Sequence, residues 1–106
     1  MFEIMLENHT EGEKLRIILS GEVDIASASE FKTRLYNMIG DGEKDIELFC
    51  NELLYIDSTG LGVLVGALKR VKSHKRNVYV YQLRDNVKKL FRITGLDKVF
   101  ILEEAI

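Results

Sequence analysis

Proline is absent from this chain, and cysteine, histidine and excess positive charge are scarce. Each shortage removes a class of function. Without proline, nothing in the sequence marks a stiff, extended tether. The single Cys50 has no partner for an internal disulfide, and no basic, apolar, small-residue leader precedes the domain, so a reducing cytoplasm is the expected setting. His9 and His74 are the only imidazoles, each alone in a polar, turn-like segment, and read as solvated surface residues. With 15 basic and 17 acidic residues the formal net charge is −2, which supplies no field to attract a phosphate backbone. Nucleic acid is therefore not an expected partner. The longest apolar stretch, residues 61–68, falls far short of the ~20 residues that cross a bilayer.

What is present is the composition of a globular protein: 46% apolar and 30% charged residues in a chain of 106, enough for one domain over 1–106 and not for two. Phe2, Ile4 and Leu6 alternate with polar neighbours, and Leu15, Ile17 and Leu19 resume that period after residues 8–13, which predicts two strands joined by a turn. At Ser27 the period changes. Ser27 and Glu30 have capping-box spacing, Phe31, Leu35, Met38 and Ile39 share a helical face, and Gly40 and Gly42 end it. Ile46, Leu48 and Cys50 followed by Leu53, Leu54, Tyr55 and Ile56 make a nearly continuous apolar segment, the pattern of a central strand covered on both sides. Leu61, Leu64, Val65, Leu68 and Val71 form a second helical face, and the cations from Lys69 to Arg76 suit its C-terminus better than a nucleic-acid or lipid patch. Residues 78–81 read as a strand. Val87, Leu90 and Phe91 form a third helical face stopped at Gly95, and Val99, Ile101 and Leu102 a last strand or edge. Strands alternating with helices after a hairpin predict an α/β fold, a mixed four- to five-stranded sheet with helices packed against it.

The segment Asp57-Ser58-Thr59-Gly60 interrupts this pattern at a strand-to-helix junction. One explanation is a helix cap, because Ser, Thr and Asp oxygens accept bonds from the free N–H groups of a first turn. A cap accounts for one of the three residues. Three polar residues on the edge where α/β sheets carry their sites favour a function. A nucleophile needs a base, and the elbow of α/β-hydrolases needs glycine where Ile56 stands, so no catalytic residue is assigned. Gly60, Gly62 and Gly66 match neither the phosphate-loop nor the dinucleotide spacing. Glycines four apart instead allow a helix to pack closely on a sheet, or on a partner. Cys50, His9 and His74 lack the paired spacings zinc requires, and neither metal nor cofactor is expected.

Gly21-Glu22-Val23-Asp24 after a strand, Tyr55-Ile56-Asp57-Ser58-Thr59-Gly60-Leu61-Gly62 before a helix, and Leu90-Phe91-Arg92-Ile93-Thr94-Gly95-Leu96 near the end resemble, in order and spacing, the STAS-domain anti-sigma factor antagonists. The resemblance covers nearly the whole chain and implies the STAS fold. It also implies a function. In that family an anti-sigma factor that is also a serine kinase phosphorylates the serine after the aspartate, here Ser58; the unphosphorylated antagonist binds the anti-sigma factor and frees the sigma factor, and a PP2C-type phosphatase restores it. Asp24, Asp57 and Thr59 fall at positions near the phosphoserine, and Gly60, Leu61, Gly62 and Gly66 on part of the docking surface. Thr59 is the rival acceptor, and Ser27 and Ser29 read as helix caps. Phe49 departs from the pattern, since relatives often carry Asp or Asn there, and it bears on local hydrogen bonding and partner choice. The alternative reading is a non-switching STAS interaction module, a scaffold or transport-associated subunit whose Asp-Ser-Thr-Gly is a structural helix start.

Overall fold

A computed structural model describes residues 1–7 and 14–104. In chain order the elements are β1 (Phe2–Leu6), β2 (Lys14–Val23), α1 (Ala28–Ile39), β3 (Asp45–Ile56), α2 (Ser58–Lys72), β4 (Val78–Tyr81), α3 (Asp85–Ile93), a 3-10 turn at Leu96–Lys98 and β5 (Ile101–Glu103). The turn expected between the first two strands, and His9 within it, lie outside the described residues. The strands form one sheet in the order β1-β2-β3-β4-β5, with β1 antiparallel to β2 and the remaining neighbours parallel. The mixed sheet expected from the sequence is therefore present, at five strands.

Each helix joins neighbouring parallel strands, and every step runs the same way across the sheet. Right-handed crossovers repeated in one direction lay all the helices on one face. The side chains agree. On β2, Ile17 and Leu19 are fully buried, while the alternate Arg16 and Ile18 are half-exposed. Ile17, Leu19, Leu48, Val80, Phe31 and Phe91 belong to a single apolar core under the helices. Phe49 is also buried but stands outside that core, on the helix-free face, with its ring stacked 5.0 Å from that of Tyr81.

Three local differences from the sequence reading have physical causes. β3 is covered on both sides only over residues 46–50; β4 pairs with residues 46–49 alone, so the strand runs on past its neighbour and leaves Leu54 and Tyr55 about half exposed, at 45% and 48%. Arg84 Nε and Asn86 Nδ2, ahead of and within α3, donate to the Asn51 and Leu54 carbonyls on this stretch at 2.9 Å each. The capping box on α1 does not form: Ser27 makes no side-chain cap bond, because its hydroxyl is engaged by Asp24. Finally, the last strand begins at Ile101, leaving Val99 exposed before it.

Candidate functional site

The C-terminal ends of β2 and β3 lie side by side, and the site grows from that pairing. Val23 opposes Ile56 across the ladder, and the Asp57 N–H donates to the Val23 carbonyl at 3.1 Å. The chain after β2 and the chain after β3 are thereby brought together at one edge of the sheet. Asp57 keeps extended backbone angles and acts as the N-cap of α2. Its carboxylate Oδ1 accepts the Thr59 N–H at 3.0 Å, the Gly60 N–H at 3.1 Å and the Thr59 hydroxyl at 2.5 Å. The Ile25 N–H, from the loop between β2 and α1, donates to the same carboxylate. The Thr59 hydroxyl first, and the Gly60 N–H next, hold the Asp57 carboxyl below its ordinary 3.8, so it is ionised at neutral pH. One carboxylate thus closes the helix terminus and ties the neighbouring loop to it.

This arrangement treats the two hydroxyls differently. Thr59 is exposed, but its hydroxyl is held by Asp57. Ser58, the first residue of α2, is exposed, and among the described residues no group bonds its hydroxyl. Asp57 alone supplies the side-chain cap bonds, so Ser58 is not required as a cap.

The other sequence-expected residues fall into two sets. Asp24 joins the site through its loop: its carboxylate accepts the Ser27 N–H at 3.1 Å and the Ser27 hydroxyl at 3.2 Å, and its own N–H donates to Ser27 Oγ at 3.1 Å. Gly60 and Leu61 are buried, and Gly62 is exposed with open space where a Cβ would stand. Gly60 is required by close approach, because an added Cβ would meet Ile56 Cγ1 at 2.6 Å and Val23 Cγ1 at 2.9 Å. Gly66, farther down α2, packs against α1: the space its side chain would fill holds the Tyr36 hydroxyl, which donates to the Val63 carbonyl at 3.1 Å. Phe49 is not part of the junction, since it lies on the helix-free face. His74 lies beyond the far end of α2, roughly 24 Å from Ser58 at the rise of a helix, out of reach of its hydroxyl.

Sequence reasoning missed the surroundings of Ser58. Ile25, in the tied loop, is 76% exposed. On the other side, Tyr55, Asn86, Val87 and Leu90 line an open groove of about 440 Å³ that reaches Ser58. An isoleucine in the polar turn Asp24-Ile25-Ala26-Ser27 was the available signal for the first; the second joins residues some thirty positions apart and has no local signature.

Among the described residues, no helix is long and apolar enough to cross a membrane. Comparison with known proteins converges on one family. The family model of the STAS domain matches residues 6–106. The anti-sigma-B factor antagonist of Staphylococcus aureus (strain NCTC 8325 / PS 47) is 32% identical over 100 residues, covering 94% of this chain and 93% of its own. Solved structures extend the likeness to the fold. An anti-sigma factor antagonist from Mycobacterium paratuberculosis superposes with a TM-score of 0.81 at 19% identity, over 100% of this chain and 88% of its own. SpoIIAA, an anti-sigma factor antagonist, superposes in its unphosphorylated form with a TM-score of 0.74 at 20% identity, over 98% and 90%. SpoIIAA of Bacillus in its phosphorylated form gives 0.69 at 22%, over 94% and 90%.

Proposed function

The chain belongs to the STAS-domain family of anti-sigma factor antagonists, and from that membership we propose that it is a single-domain, partner-switching antagonist working in the cytoplasm. Its unphosphorylated form binds an anti-sigma factor that is also a serine kinase and so releases a sigma factor. Phosphorylation of Ser58 ends that binding, and a PP2C-type serine phosphatase reverses it. The chain is the substrate and ligand in this cycle, not the enzyme.

The observation that carries the proposal is the contrast at the head of α2: Ser58 offers an exposed, unbonded hydroxyl, whereas the Thr59 hydroxyl is held by Asp57. In the transfer, Ser58 Oγ bonds to the γ-phosphorus of ATP, the bond to the β-phosphate oxygen breaks, and the hydroxyl proton passes to a base on the kinase. The product would carry roughly −1.5 to −2 extra charges. From sequence alone, the free N–H groups of a helix N-terminus would be expected to neutralise such an anion. Here the Thr59 and Gly60 N–H groups already serve Asp57. The phosphate charge is therefore left on the surface beside Asp57 and the Asp24 loop, where like charges at an interface cost several kcal/mol. That is enough to end binding while the fold persists.

The alternative, a non-switching module with Asp-Ser-Thr-Gly as a structural helix start, has no use for an exposed Ser58, because Asp57 caps the helix by itself. Intact-mass spectrometry after incubation with ATP and anti-sigma kinases of the same genome tests the proposal. Wild type and Thr59→Ala should each gain one phosphate, and Ser58→Ala none. Binding without phosphate uptake would replace the switch with the docking module.

A further inference from the structure

β1 is an outer strand of the sheet, and its free edge carries none of the lysines, prolines or bulges that ordinarily keep such edges apart. The Glu7 N–H donates to the Arg16 carbonyl and the Glu22 N–H to the Met1 carbonyl, so residues 1, 3, 5 and 7 turn their main chain toward β2. Phe2, Ile4 and Leu6 therefore turn theirs outward. The Arg34 guanidinium meets that edge at its middle, where Nη2 donates to the Ile4 carbonyl over a long 3.4 Å.

The same strand carries a knob and a socket. Phe2, Ile4 and Leu6 share the helix side of β1, yet Phe2 and Ile4 are 6% and 4% exposed whereas Leu6 is 39% exposed. At the other end of the strand an open groove of about 460 Å³ runs beside Phe2, walled by Ala26, Glu30 and Arg34. Within one chain the knob and the groove lie at opposite ends of the strand. An antiparallel second copy, turned about a two-fold axis at Ile4, brings them together, because Leu6 of each copy then stands opposite Phe2 of the other. That register also suits the charges. It sets Glu3 against Met5 and Glu7 against Met1. Moving the axis to Glu3 would oppose the two Glu3 side chains, and moving it to Met5 would oppose Glu3 and Glu7; like charges directly opposite destabilise a strand pair. The groove itself carries both signs, with Arg34 held to Glu30 at 3.6 Å and Glu3 beside them.

We propose that the occupant of this edge is a second copy of the chain, paired antiparallel through β1 about Ile4 into one sheet of ten strands, five from each copy. The Ile4 N–H of each copy takes the place of Arg34 at the Ile4 carbonyl of the other, and Leu6 of each copy fills the groove beside the other's Phe2. Antiparallel pairing reverses the strand direction between copies, so the two Ser58 hydroxyls stand at opposite ends of the dimer and both stay exposed. A strand of five residues is far smaller than the ~20–30 residues a side of a standard interface. The dimer therefore fills only as concentration rises. It is independent of the antagonist reading.

The test is sedimentation equilibrium of the full chain between ~10 μM and ~1 mM, the range in which a weak interface fills. The wild-type mass should rise toward twice that of the monomer. Leu6→Lys, which puts a charge into the groove, should still fold and should weaken the dimer at least ~10-fold. A second measurement uses exposed positions only. Glu3 and Met5 of opposite copies form a non-hydrogen-bonded pair with Cα atoms ~4.5 Å apart, within disulfide reach. Equal parts of Glu3→Cys and Met5→Cys chains, oxidised with glutathione disulfide, should therefore yield a covalent heterodimer. Either variant alone should yield little, because its thiols lie two residues out of register, and Cys50 is buried and does not compete. A chain that stays monomeric to ~1 mM and gives no mixed crosslink overturns the inference. So does a dimer that Leu6→Lys leaves at wild-type strength, or one that crosslinks as well in a single variant as in the mixture, because its contact then lies elsewhere.

Discussion

At the scale of single residues, the site depends on one carboxylate serving four donors and one hydroxyl serving none. Ser58→Asp places a permanent charge on the free hydroxyl's position without touching a bond the fold uses. It should unfold with a wild-type transition and bind the anti-sigma kinase at least ~30-fold more weakly, as roughly 2 kcal/mol of repulsion implies. Wild-type affinity in the folded variant would count against a charge-driven switch. Asp57→Asn keeps the shape of the cap but loses the ionised acceptor. Because hydrogen bonds depress the carboxyl of the folded state, its contribution to stability is present above the ordinary 3.8 and is lost as pH falls through the lower folded value. The wild type should therefore melt at a higher temperature than Asp57→Asn at neutral pH, and that gap should close only on strong acidification, in thermal melts recorded across the acid range. A gap that closes near pH 6 would point to another group.

At the scale of elements, the two remaining glycines of α2 make opposite predictions. Gly62 faces open space, so Gly62→Ala should gain about 0.5–1 kcal/mol of helix stability, while any loss of kinase affinity in the same variant would locate the docking face on that turn. Gly66→Ala would drive its methyl to within 1.9 Å of the Tyr36 hydroxyl, which must then swing out and give up its bond to the Val63 carbonyl. A loss of about 1–2 kcal/mol in urea unfolding is expected, partly recovered by adding Tyr36→Phe. Failure of the second change to help would mean that the Tyr36 hydroxyl is not the obstacle. The same helix shows what a sequence can disclose. Its extent followed from the spacing of Leu61, Leu64, Leu68 and Val71, and the parallel order of the strands from the alternation of helices with apolar runs, because both are local patterns. The cap on α1 was misread, because Ser27 can satisfy either its own helix or Asp24 three residues earlier, and only the path of the loop decides. The half-open end of β3 was invisible for a different reason: Leu54 and Tyr55 are apolar, and their exposure depends on β4 being shorter than its neighbour.

At the scale of the whole molecule, the three helices cover one face of the sheet and leave the other to its own side chains. Parallel sheets seldom stand uncovered, and this one covers itself with a charged cluster. Glu47, 5% exposed, pairs with Arg16 Nε at 2.9 Å and Lys14 Nζ at 3.7 Å and accepts the Tyr81 hydroxyl at 3.1 Å. Tyr81 in turn stacks on Phe49, so the cluster adjoins an aromatic ring buried on that side. Removing one partner of a buried carboxylate costs more than removing the carboxylate with it. Arg16→Met should destabilise the fold by roughly 1–2 kcal/mol, less than for a fully enclosed pair because Lys14 and Tyr81 still contact Glu47. Adding Glu47→Leu to Arg16→Met should recover part of that loss by removing the charge left behind. Both variants should take up phosphate at Ser58 at the wild-type rate, since distant sites without shared partners act independently, and the cluster lies on the open face of the sheet whereas Ser58 stands beyond the C-terminal end of β3. A double variant no more stable than Arg16→Met would show that the buried carboxylate is not what the cations stabilise. Slowed phosphorylation in either variant would instead tie the open face to Ser58, and the division of labour between them would have to be abandoned.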